Sequence, residues 1–149
     1  MAASRNTLTA YDASEGALYV LFAAILCMSS ASPSVFAIDN LDSALNPRLV
    51  TRLVARLAEW LRVGSPDRQL LFTAHNPAVL DGLDLDNDDI RLFAVERNSQ
   101  GHTTIRRIEA SPELRKLNEQ LPLSRLWAMG NLGAVPNVWR QRSPNNGRS

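Results

Sequence analysis

Soft and nitrogen ligands are nearly absent from this chain of 149 residues: it holds one cysteine, Cys27, and two histidines, His75 and His102, set 27 positions apart. That count excludes an intrachain disulfide, a multi-thiolate metal centre and a paired-histidine site. Any chemistry therefore rests on oxygen and amide groups. Lysine is as scarce: the only one is Lys116, preceded by Arg115 in a helical context. The phosphate loop G-x-x-x-x-G-K-[ST], which needs a lysine, is therefore missing. Neither sign of charge dominates, since 16 Lys+Arg against 15 Asp+Glu leave a formal charge of +1. No bulk attraction to nucleic acid or to an anionic membrane follows. Long apolar runs are missing too. The longest, Ala17 to Met28, has twelve residues, well short of the roughly 20 that cross a bilayer. Ser29-Ser30-Ala31-Ser32-Pro33 behind it imitates a leader cleavage site, yet Asp12 and Glu15 precede the run and Arg5 is the only basic side chain before it. A secretory leader wants positive charge there, so a secreted small domain is the weakest reading and a cytoplasmic location is expected.

What is present, 45% hydrophobic and 21% charged residues with 7 Gly and 8 Pro, suffices for a single globular core. Met1 to Asp12 has no clear periodicity. Ser14 can cap a helix through Ala17 to about Met28, apolar nearly all round and so expected to be buried on most sides. Val35-Phe36-Ala37-Ile38 has the look of a central parallel strand. Asn46-Pro47 caps a helix with Leu49, Val50, Leu53, Val54, Leu57, Trp60 and Leu61 on one side and Arg48, Arg52, Arg56, Glu59 and Arg62 on the other; Gly64, Ser65 and Pro66 stop it. Leu70-Leu71-Phe72 begins a second buried strand, and Asn76-Pro77 starts a shorter helix.

This is a βαβ unit with parallel strands and a right-handed crossover, which sets Asp39 and His75 at strand carboxyl ends, where open α/β sheets bind ligands. Ile90 to Arg97 and Thr103 to Ile108 predict a hairpin at the sheet edge, and Pro112 to Leu121 and Leu123 to Met129 predict short helices. Arg140 to Ser149 reads as an unstructured tail with too few arginines for a nucleic-acid arm. Cys27 reads as core, His102 as a turn residue, and Trp60, Trp127 and Trp139 as packing residues.

An apolar strand ending in aspartate suits a nucleotide site, because a rigid strand end holds one hard carboxylate beside the phosphates. Val35 to Asp39 fits, but a strand-end Asp is commonly just a turn former, and Ser14, Asn46 and Asn76 serve as helix caps under any reading. The ordered set is more specific. Over about Asp12 to Pro136 the chain resembles the C-terminal half of an ABC-type ATPase domain. The branch is that of AAA-family ATPases related to structural-maintenance-of-chromosomes, RecF and overcoming-lysogenization-defect proteins. Asp12-Ala13-Ser14-Glu15-Gly16-Ala17 resembles the ABC signature, Val35 to Asp39 Walker B, Ser43-Ala44-Leu45-Asn46 the D-loop and His75 the switch histidine. Leu123 to Trp127, through Gly133 and Pro136, is similar to the family's tail.

The resemblance implies an α/β fold, a partial P-loop NTPase sheet with parallel central strands, flanking helices and an edge hairpin, over 1–136; the residues beyond, 137–149, read as a disordered tail from their own composition. It implies ATP and Mg²⁺ as cofactors, Asp39 orienting the metal, Asn40 and His75 at the catalytic positions, and Ser14, Glu15, Gly16, Ser43 and Asn46 contacting nucleotide across a dimer. The helix start at Ser14 to Gly16 offers backbone N–H groups to a γ-phosphate. Asn40 stands where most of the family has a water-polarising glutamate, and an amide accepts no proton. The implied partner is the missing N-terminal half or a P-loop-bearing subunit, with nucleic acid reached only through the assembly and no membrane. The implied setting is DNA repair or phage defence. The alternative is a non-catalytic interaction module that pairs with a complete ATPase.

Overall fold

A computed structural model describes residues 14–98 and 100–132. The expectations for Met1 to Asp12, for the tail 137–149 and for Trp139 lie outside the described residues. The chain divides into two compact units, Met1–Asp84 and Leu85–Ser149.

Among the described residues, the first element of the first unit is helix α1, Glu15–Met28. The Ser14 hydroxyl accepts from the Ala17 N–H at 3.2 Å, the expected cap. Strand β1, Val35–Ile38, is followed by helix α2, Pro47–Gly64, and strand β2, Gln69–Phe72. The two strands pair in parallel, with Val35 opposite Gln69 and Ile38 opposite Phe72. Asn46 caps α2 by accepting from the Leu49 N–H at 3.0 Å, and Pro47 takes the first helical position. Val50, Leu53, Val54 and Leu57 of α2 are buried together with Ala23, Cys27, Ile38, Leu41, Leu45 and Val79 in one core cluster. The predicted βαβ unit is therefore present. The segment after Asn76 is a 3-10 helix, Pro77–Gly82, docked on α2 by the Thr51 hydroxyl, which donates to the Ala78 carbonyl at 2.8 Å.

The C-terminal end of α1 is fixed by a buried cation. Arg68 donates to the Cys27 carbonyl at 2.7 Å and to the Ser32 carbonyl at 3.4 Å, so a guanidinium fork ties a carbonyl of the last helical turn to the loop that follows it. Burial pushes the Cys27 thiol up to about 11 against the opposing influence of Arg68, which keeps it protonated at neutral pH and unreactive.

Two expectations about burial are corrected. Helix α1 buries Ala23 and Cys27 but exposes Leu18, Leu21, Phe22, Ile25 and Met28, each by more than 40%. An apolar composition does not guarantee neighbours on every side, and only one face of α1 meets the core. The strands are not central either. Among the described residues β1 and β2 pair only with each other, and Val35 and Leu71 are more than half exposed.

The second unit holds strands β3, Leu92–Arg97, and β4, Thr103–Ile108, then helices α3, Pro112–Asn118, and α4, Leu123–Ala128. The hairpin is antiparallel, with Val95 opposite Ile105. Among the described residues it pairs with no further strand, so it is a two-stranded sheet of its own unit. Asn98 closes its turn by accepting from the Gln100 and His102 N–H groups at 3.0 and 2.9 Å. Ser111 caps α3, which contains Lys116. Ala94, Ile108, Leu114, Leu123, Leu126 and Leu132 are this unit's buried apolar residues. Among the described residues no helix is long and apolar enough to cross a membrane.

Candidate functional site

The parallel register brings the ends of β1 and β2 side by side, so the residues that follow Ile38 and Phe72 leave the sheet at the same edge. The pairing continues into the loops. Thr73 N–H donates to the Ile38 carbonyl at 3.1 Å, and Leu41 N–H donates to the Thr73 carbonyl at 2.9 Å. The Thr73 side chain completes the junction: its hydroxyl accepts from the Asn40 N–H at 2.9 Å and donates to Asp39 Oδ1. One oxygen of the Asp39 carboxylate is thereby oriented.

Asn40 adopts φ 51°, the left-handed region that asparagine tolerates better than most side chains. Its Oδ1 is buried and has no hydrogen-bond partner. Asn40 thus helps the chain turn sharply off β1. Asp42 then reaches across to the other loop. Its carboxylate accepts from the Asn76 N–H at 2.7 Å and from the His75 N–H at 3.3 Å to each oxygen. Asn76 in turn accepts from the Ala78 N–H at 3.0 Å. The His75 backbone is held while its side chain is exposed. Burial, and next the negative charge of Asp42, raise the Tyr19 phenol above its ordinary value.

The signature-like segment lies against the D-loop-like one. A Cβ on Gly16 would stand 3.2 Å from the Ala44 carbonyl oxygen and 3.4 Å from Leu45, so the missing side chain is what lets the start of α1 come this close. Ser43 is exposed in the turn after Asn40, to whose carbonyl its N–H donates at 3.0 Å. Ser14 and Asn46 spend acceptor atoms on their helix caps. Glu15 is exposed in the first turn of α1.

Asp39, Asn40 and the His75 loop are therefore gathered at one sheet edge, with Gly16 against the adjoining turn. Thr73 and Asp42, which sequence reasoning did not single out, bind that edge together. A signal for them existed in the parallel register, which makes Thr73 the neighbour of Asp39. Among the described residues no group of three or more His, Cys, Asp or Glu is arranged to hold a metal ion unaided. A single carboxylate at a strand end fits Mg²⁺, which is commonly held by one or two carboxylates with phosphate oxygens and water completing its shell.

The strand ending in Asp39, its parallel neighbour and the helix between them form a small α/β unit. A family model, that of the AAA domain described by reference to the AbiEii toxin and the Type IV TA system, matches residues 3–81, just over half of the chain. The chain belongs to this AAA-domain family. No curated protein and no solved structure matches it.

Proposed function

We propose that this chain is the signature- and Walker-B-bearing portion of an ABC-type ATPase module. It binds Mg²⁺-ATP at the carboxyl edge of β1 and β2 and turns nucleotide over only with a P-loop supplied by another segment or subunit. The observation that carries this reading is the Asp39–Thr73–Asn40 hydrogen-bond junction, which fixes one carboxylate at the strand ends beside the loop that holds His75.

In this reading Asp39 orients the metal, and His75 contacts the γ-phosphate or the attacking water. The metal supplies neutralisation of phosphate charge. Ser14, Glu15 and Gly16 face the nucleotide held by the opposite subunit, and Ser43 and Asn46 carry contacts across the dimer. The start of α1 suits that role because helix N-termini present N–H groups and positive potential to anions. Asn40 can orient water but cannot take its proton. That amide also favours a second reading, a non-catalytic module that lends its signature segment to a complete ATPase. The resemblance supports reading the module as part of DNA repair or phage defence in the cytoplasm, with nucleic acid engaged only through the assembly.

Purified alone, the chain is expected to release no phosphate from ATP above the protein-free rate, because Lys116 lies in α3 and no lysine serves a phosphate loop. A steady-state phosphate-release assay checks this. Mg²⁺-dependent turnover that persists through purification and disappears in Asp39→Ala would overturn it.

A further inference from the structure

We propose that Asp42 is a positioning residue for His75, locking the loop that carries the histidine to the turn that follows Asp39. Neither the motif resemblance nor the helix-capping pattern assigns Asp42 a role, since Asn76 already caps the 3-10 helix with its own side chain. The geometry does assign one. A carboxylate 33 and 34 residues away in sequence accepts both consecutive N–H groups of the loop, at 3.3 Å from His75 and 2.7 Å from Asn76. Charge-assisted bonds of this kind are among the stronger ones in proteins.

Thr73 and Leu41 join the two loops at their roots, beside the sheet. Asp42 joins them further out, so that the backbone carrying the imidazole is held at both ends. Asp42 directly precedes Ser43, which the proposed reading places at the subunit boundary. A displacement of that turn by a second subunit would therefore reach His75 through one carboxylate. This inference rests on the nucleotide reading of the edge for its consequence, whereas the tether itself is independent of it.

The test is NMR of the full chain with and without millimolar Mg²⁺-ATP, comparing wild type, Asp42→Ala and Asp42→Asn. In Asp42→Ala the His75 and Asn76 amides are expected to exchange about tenfold faster or more. The ATP-induced shift of the His75 ring is lost, while the shifts of Asp39 and Asn40 remain. Asp42→Asn keeps one acceptor oxygen, the one within reach of both N–H groups, and so restores protection at Asn76, the shorter contact, and only in part at His75, which loses its second acceptor. It also carries the test should Asp42→Ala fail to fold. Wild-type exchange at His75 and Asn76 in both variants, or loss of the His75 and Asp39 responses together, would overturn the proposal. If Mg²⁺-ATP moves no resonance of the wild-type chain, the nucleotide reading falls, and the amide exchange of the variants alone upholds or overturns the tether.

Discussion

Gly64→Ala is expected to cost about 3 kcal/mol of stability, a large share of what a domain of this size possesses. Gly64 closes α2, and its φ is not in the left-handed region, so nothing conformational demands glycine there. Space does. An added Cβ would run into the Cys27 carbonyl oxygen and into the Arg68 guanidinium, which stands 2.5 Å away and itself donates to that carbonyl. Moving the carbonyl means moving the end of α1, and moving the guanidinium leaves a buried charge without its acceptors. Alanine's better helix propensity returns only about 1 kcal/mol. Gly101→Ala is the control. Gly101 has φ 83° in the hairpin turn with nothing near its missing side chain, so the substitution costs backbone strain of about 1 kcal/mol and no collision. Urea denaturation followed by circular dichroism compares the two. A Gly64→Ala protein as stable as wild type would show that the end of α1 is not pinned as described.

The second large effect concerns solution behaviour. Leu18, Leu21, Phe22, Ile25 and Met28 recur at three- and four-residue intervals and form an apolar stripe on the side of α1 away from Ala23 and Cys27. Val35 and Leu71 add exposed apolar surface on the parallel strands. A stripe of this kind associates in water, at roughly 25 cal/mol for each Å² covered. The isolated chain is expected to self-associate with rising concentration. The double variant Leu21→Glu, Ile25→Arg is expected to be monodisperse without loss of thermal stability, because both positions are more than half exposed. Light scattering coupled to size exclusion checks this. A monodisperse wild-type monomer over the whole concentration range would contradict it, and would favour the interaction module over a portion of a larger ATPase.

What was legible in the sequence was local. The Asn-Pro pairs announced the caps of α2 and of the 3-10 helix, the two-sided pattern of Leu and Arg announced α2, and the apolar run ending in Asp39 announced β1 and the edge it reaches. Ser14 capped α1 as its position suggested. What was not legible depended on partners distant in the chain. Twelve apolar residues in a row do not reveal that only one face of α1 is covered, and the alternation in β3 and β4 does not reveal which sheet they join. Thr73 and Asp42 read as ordinary turn and strand-end residues until the register sets Ile38 opposite Phe72, which carries the Thr73 hydroxyl to Asp39 and the Asp42 carboxylate to His75. Gly64 read as a helix stop, and its steric role appeared only with Arg68 beside it.

The central claim is that the edge built on Asp39 receives Mg²⁺-ATP without consuming it, and one phosphorus NMR experiment reads both halves of that claim. With the isolated chain added to Mg²⁺-ATP, the γ-phosphate signal is expected to shift or broaden with protein concentration. The effect is absent in Asp39→Ala, and no inorganic phosphate accumulates. A γ-phosphate signal that ignores the wild-type chain, or responds equally to Asp39→Ala, would contradict the assignment of the site; a growing inorganic phosphate signal that Asp39→Ala abolishes would contradict its dependence on a P-loop from elsewhere.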